Sequence, residues 1–227
     1  IALGVGAIVT LRSVIQGVRQ VFAGEARALL GADLVVSSSR PIEGEVAQAI
    51  GARLAAAGAL VTRTAETATM ARAGAAAGVD GPARMVELKA VGPGFPYYGT
   101  LVLEGGGRYS HALIADGGAL VRPELLAQLG IAVGDTLALG GRDFTVRGVI
   151  DAEPGRRLGA FSLGPRVIVD LADLEQTSLL AFGSRVTYQR LVKVPDTALA
   201  GLVTALREDV KNSFVRVRSY TTTEGDL

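Results

Sequence analysis

The residues best equipped for chemistry fall between positions 151 and 166, in the run DAEPGRRLGAFSLGPR. Asp151, Glu153, Arg156, Arg157 and Arg166 gather there among glycines and prolines, with one large apolar residue, Phe161. Carboxylates beside guanidinium groups have two uses. As exposed ion pairs they contribute little each. Held together, they can join two subdomains or two partners, with Phe161 as the apolar anchor. The same run holds Ala160-Phe161-Ser162-Leu163-Gly164, which differs from the G-x-S-x-G nucleophile turn at its first position. That turn needs a strand before it and a helix after it. Here Gly155-Arg156-Arg157-Leu158-Gly159 precedes, and Pro165 with a strand-like run follows. The one histidine, His111, lies before Ser162, against the hydrolase order. The segment is read as a solvated loop or as a structured contact. Glu153, Arg156, Arg157, Phe161 and Arg166 are the candidate residues of the contact.

Other chemistries lack their parts. The sequence has no H-E-x-x-H, EF-hand or Walker A pattern. Gly92-Pro93-Gly94, with Pro96 close behind, does not fit the strand–turn–helix setting of a dinucleotide fingerprint. Zero cysteines exclude a disulfide framework, a zinc-thiolate site and a cysteine nucleophile. A net charge of +1 gives no electrostatic case for nucleic acid. Catalytic, metal and cofactor residues are therefore all expected to be none.

Stepping outward from the charged run, the stretch 119–155 forms a β module with a helical lead-in. Pro123 suits a first helical turn, and Gly130 suits the stop after Leu125, Leu126 and Leu129. Strands are expected at 136–139 and 144–150, separated by the turn Gly140-Gly141-Arg142-Asp143. The module needs flanking strands to close its core.

Those flanks read as two β-α-β units. The first has a strand over 32–38, a helix over 42–57 and a long strand over 60–72. The second has a strand over 184–194, a helix over 197–210 and a strand over 214–218, where Phe and Val are read as alternating with Ser and Arg. A hairpin loop over 74–81 leads to a return strand, RMVELKAV, over 84–91. Such units suit an α+β, ferredoxin-like or porter-type βαβ frame. The expected division is a frame of 31–91 and 170–227 with an inserted, β-rich, small barrel-like subdomain at 92–169.

Residues 1–30 read as one stalk helix. Ile8, Leu11, Ile15, Val18 and Phe22 recur at three- and four-residue spacings, an apolar seam suited to a neighbouring helix or to the domain itself. The first eleven residues, IALGVGAIVTL, are uncharged but too short to span a bilayer. The chain begins at Ile1 and not at Met, so it is expected to be part of a longer protein.

The ordered set LGIAVGDTLALGG–FTVRGVI, EPGRRLGAFSLGPRVIV and GSRVTYQRLVKV resembles the extracytoplasmic core domain of MacB/FtsX-type ABC transporter permeases. GEARALLGADLVVSS and PYYG bring it nearest the YbbP-like branch. The resemblance implies a periplasmic domain of a bacterial cytoplasmic-membrane protein. It also implies transmembrane helices elsewhere in the permease and a separate ABC ATPase subunit. A lipid-like substrate or extracytoplasmic protein partner, and a dimer in the full transporter, would be in keeping with it. The implied role is coupling of ATP-driven change to events outside the membrane, with no catalysis on this chain. The alternative is a soluble β-barrel-containing interaction or adaptor domain with no transport role.

Melting curves with and without chelator, and with and without ATP and Mg²⁺, are expected to superimpose. A shift of several degrees with either addition would contradict this reading of the composition.

Overall fold

The structure is a computed structural model that describes residues 23–74, 82–154, 163–180 and 184–221. Residues 23–30 are helical (α1). The first β-α-β unit is β1 (Leu34–Ser38), α2 (Gly44–Ala56) and β2 (Leu60–Ala73). The second is β9 (Thr187–Lys193), α5 (Asp196–Val210) and β10 (Val215–Ser219). Each unit leaves room for a strand of the other, so the sheet order is β10-β1-β9-β2, with each adjacent pair antiparallel. This is the split βαβ arrangement. Both helices cover the same face. Ile50 and Leu54 of α2 meet Leu199, Leu202, Leu206 and Val210 of α5 over Leu34, Val36 and Val192.

β2 is the longest strand and does not stop at the frame. Residues 60–66 pair with β9, and residues 71–73 on the same edge pair with β6 (Thr136–Leu139). The opposite edge pairs with β3 (Arg84–Val91). From there the pairing runs through β8 (Arg166–Asp170), β5 (Gly118–Val121) and β7 (Arg142–Ala152), and β7 returns to β6. β2, β3, β8, β5, β7 and β6 therefore close into a ring. The barrel-like character expected of the middle stretch is present, and β2 and β3 are part of its wall.

The ring is filled by Val86, Leu88, Leu137, Leu139, Phe144, Val146, Val167 and Val169. Short helices α3 (Pro123–Leu129) and α4 (Leu171–Leu174) add Leu125, Leu129, Leu171 and Leu174. As expected, Pro123 opens α3, and Gly130 ends it in the left-handed conformation at φ 65°. A third apolar cluster lies on the other face of the sheet. There the stretch after β3, which includes the short strand β4 (Val102–Leu103), packs Phe95, Leu101 and Ile114 on Val35, Val91, Leu120, Ile168 and Leu191. Among the described residues no helix is long and apolar enough to cross a membrane.

One expectation fails at β10. Phe214 precedes the strand and is 65% exposed, while Val217 is buried. Phe214 shares its parity with Arg216 and Arg218, so the alternation is valine against arginine, with Phe214 on the arginine side.

The described ends of the chain meet at a buried carboxylate. Asp33, 0% exposed, accepts from Arg27 Nε at 2.7 Å, from the Tyr98 hydroxyl at 2.9 Å and from the Val194 backbone N–H at 3.0 Å. Arg27 also pairs with Asp196, donates to the Tyr220 hydroxyl at 3.1 Å and lies over the Tyr220 ring. Three donors offset the cost of burying the carboxylate. Burial, then the bond to Asp33, raises the Tyr98 hydroxyl pKa to about 12. Burial also raises Tyr97, Tyr109 and Tyr188.

Unfolded tyrosine ionises near its ordinary value of 10, while folded Tyr98 holds its proton to about 12. Stability is therefore intact below pH 10 and falls as pH rises from there to about 12. Denaturant titrations across that range should show this loss, and Tyr98→Phe should make it shallower. An unchanged slope in the variant would remove Tyr98 as a source.

Candidate functional site

Strand alternation puts Glu87 and Lys89 on one face of β3. Register then sets Glu66 of β2 opposite Lys89, and Arg166 of β8 opposite Glu87. Glu153, just past the end of β7, enters the same face. Lys89 Nζ lies 2.9 Å from Glu153 Oε1 and 3.4 Å from Glu66 Oε1. Arg166 lies 3.3 Å from Glu153, 3.6 Å from Glu66 and 3.8 Å from Glu87. Glu153 is the deepest member, with its side chain 3% exposed against 30% for Glu66. The Phe95 ring packs beneath Lys89, with Nζ 4.8 Å from its centroid. A cavity of about 200 Å³ opens beside the cluster, bounded by Leu30 at the end of α1, by Gly31, and by Pro154, Gln189 and Arg218.

Three carboxylates thus face two cations at the junction of β2, β3, β8 and the end of β7. Cross-strand pairs of opposite charge favour one register over its neighbours. The cluster contains no Ser, Thr, Cys or His. Among the described residues no group of His, Cys, Asp or Glu is arranged to hold a metal. The arrangement can fasten the barrel wall, and it can change its pairing if that wall shifts.

Of the residues expected from sequence, Glu153 and Arg166 come together. Arg156, Arg157 and Phe161 lie outside the described residues, as do Ile8, Leu11, Ile15, Val18 and Phe22 of the stalk seam. Ser162 is also outside them, but β8 starts at Arg166, where a nucleophile turn would need a helix. The approach to β8 requires Gly164, since a Cβ there would sit 2.1 Å from the Met85 carbonyl oxygen. His111 is packed, between the Tyr109 hydroxyl at 3.2 Å and Asp170 at 3.1 Å.

Sequence reasoning missed Glu66, Glu87 and Lys89. The i, i+2 charges in RMVELKAV marked a polar face, but their partners depended on which strands flank β3. It also missed Asp33, whose only signal was one acid at the head of an apolar strand.

Glu153→Ala leaves Lys89 and Arg166 with less acidic compensation in a nearly closed site. The expected loss is roughly 3–5 kcal/mol. Glu66→Ala, at the open side, is expected to cost about 1 kcal/mol. Urea unfolding of the two variants measures the difference, and equal losses would contradict the assigned depths.

The family model for the MacB-like periplasmic core domain matches residues 1–212. A curated relative, the uncharacterized ABC transporter permease YbbP of Escherichia coli (strain K12), is 29% identical over 189 residues. The match covers 83% of this chain and 22% of that protein, so the chain spans about a fifth of the length of the curated relative. The periplasmic region of MacB from Actinobacillus actinomycetemcomitans superposes with a TM-score of 0.53 at 14% identity, covering 88% of this chain and 94% of that one. The extracellular domain of the noncanonic ABC-type transporter YknZ from Gram-positive bacteria gives 0.51 at 13% identity, covering 82% and 100%. At these identities the two structural likenesses are likenesses of fold.

Proposed function

The chain belongs to the MacB-like periplasmic core domain family, as the periplasmic domain of an ABC transporter permease, and from this we propose that it couples ATP-driven change in the membrane to the handling of a substrate or partner outside it. ATP hydrolysis would lie on a separate ATPase subunit. The transmembrane helices of the permease would be the immediate partners, with an extracytoplasmic protein or a lipid-like molecule beyond and a dimer in the full transporter. The role is export, lipid- or lipoprotein-related transport, or mechanotransmission.

The observation that carries the proposal is the clamp at Asp33. Arg27, near one described end, is bonded to Tyr220, near the other; Arg27 is also tied to Asp33 and Asp196, and the Tyr220 backbone N–H donates to the Asp33 carbonyl. Two chain connections held at one corner deliver a movement as one displacement. Packed cores move as units and do not deform continuously. The displacement would pass through the frame, 31–91 with 170–227, into the subdomain at 92–169. The ion cluster around Glu153 and Arg166 lies on that path, where Arg156, Arg157 and Phe161 would add contacts. The seam of Ile8, Leu11, Ile15, Val18 and Phe22 would meet a membrane-proximal helix of the same permease or of its second copy.

Hydrogen exchange on full-length permease with its ATPase tests this. Segments around 194–198 and 219–221 should change protection between the nucleotide-free and ATP-trapped states, while β6 and β7 stay constant. Arg27→Met should abolish the change and leave ATP hydrolysis intact. Identical exchange in both states of the wild-type complex would overturn the coupling role.

A further inference from the structure

A second site lies at the opposite end of the β1 and β9 strands from the Asp33 clamp, on the open side of the edge strand β10. Register places Ser37 directly between Arg216 of β10 and Gln189 of β9. Around Ser37 a pocket of about 390 Å³ is bounded by Ser39, Thr187, Phe214 and Arg216. No carboxylate lines it. Arg40 lies over Phe214 of this lining, with its guanidinium 4.1 Å from the ring centroid.

Three features distinguish this pocket from ordinary charged surface. First, Arg216 lines the pocket, and the Arg40 guanidinium lies over the Phe214 ring. Among the described residues neither Arg216 nor Arg40 has an acidic partner, whereas Arg27 and Arg166 do. Gathering like charges without a counter-charge is unfavourable unless an anion joins them. Second, the hydroxyls of Ser37, Ser39 and Thr187 make no hydrogen bond to another described residue, and Ser37 is nearly buried at 9% exposed. Each can donate and accept. Third, Phe214 presents an aromatic surface, 65% exposed, beside those polar groups.

We propose that this pocket binds a phosphate group carried on a polyhydroxylated body, either a soluble sugar phosphate or a glycerophosphate lipid headgroup. Arg216 and Arg40 hold the phosphate, since guanidinium groups match its geometry with paired hydrogen bonds. Ser37, Ser39 and Thr187 exchange hydrogen bonds with the hydroxyls of the body. Phe214 packs against its C–H face. The site has no part in the coupling role described above and stands independently of it.

Calorimetric titration of the 227-residue chain with glucose 6-phosphate and with glucose, at low salt, tests the soluble source. Co-sedimentation with phosphatidylcholine vesicles, with and without phosphatidylglycerol, tests the headgroup source. Saturable binding of the sugar phosphate but not of glucose assigns a soluble ligand, and retention by the phosphatidylglycerol vesicles alone assigns a headgroup. In either case Arg216→Gln and Arg40→Gln should each weaken binding at least tenfold without lowering the melting temperature. Ser37→Ala should weaken it several-fold. Arg84→Gln, at the start of β3, should leave it unchanged. Three results would overturn the proposal: no binding of either probe, binding that survives both arginine variants, or equal sensitivity to Arg84→Gln. The last two would mean diffuse attraction to a basic surface, with the β10 arginines serving only to guard a sheet edge.

Discussion

A strand of fourteen residues must satisfy its backbone along both edges for about 46 Å, and that requirement on β2 shapes the molecule. No neighbouring strand is long enough to do it. β9 serves the first part of one edge and β6 its last part, while β3 serves the other edge between them. Taking up β9 brings in the second β-α-β unit. Taking up β3 and β6 brings in the barrel. Frame and barrel therefore share a wall and cannot turn against each other without breaking the ladder of β2. Any relative movement has to come from elements outside that wall.

Buried charge marks the places where elements distant in sequence meet. Asp33 joins α1, the stretch after β3 and the end of β9, and through Arg27 the start of α5 and the residue after β10. Glu153 and Arg166 join the end of β7 to β2, β3 and β8. Apolar contacts could supply comparable stability, because desolvation consumes much of what a buried ion pair returns. What the charges add is selectivity, since a slipped register leaves a buried charge unpaired.

The two polar sites differ in kind. The Glu153 cluster pairs nearly every charge internally, which suits a fastening. At the Ser37 pocket, the Arg216 guanidinium and the hydroxyls of Ser37, Ser39 and Thr187 have no partner among the described residues, which suits the ligand proposed for it.

Sequence alone determined the local elements. The i, i+3 and i+7 leucines of α5 must bury one stripe, Pro123 and Gly130 must bound a short helix, and the small and branched residues of 60–73 favour an extended chain. The ordered motifs were enough for the family. The site was legible only in part: Glu153 and Arg166 stood out because charge in a Gly/Pro-rich run is conspicuous. Glu66, Glu87, Lys89 and Asp33 did not, because one charge in a strand says nothing about what faces it. Phe214 was misread because its parity puts it beside Arg216, not beside the valines. Tertiary structure decided that β2 is shared, that the strands of the middle stretch close on β2 and β3, and which charges meet. The physical reason is that periodicity is encoded within a dozen residues, whereas these strand pairings join residues from 64 positions apart (Ala73 with Leu137) to 185 (Leu34 with Ser219), and only the closed sheet selects among them.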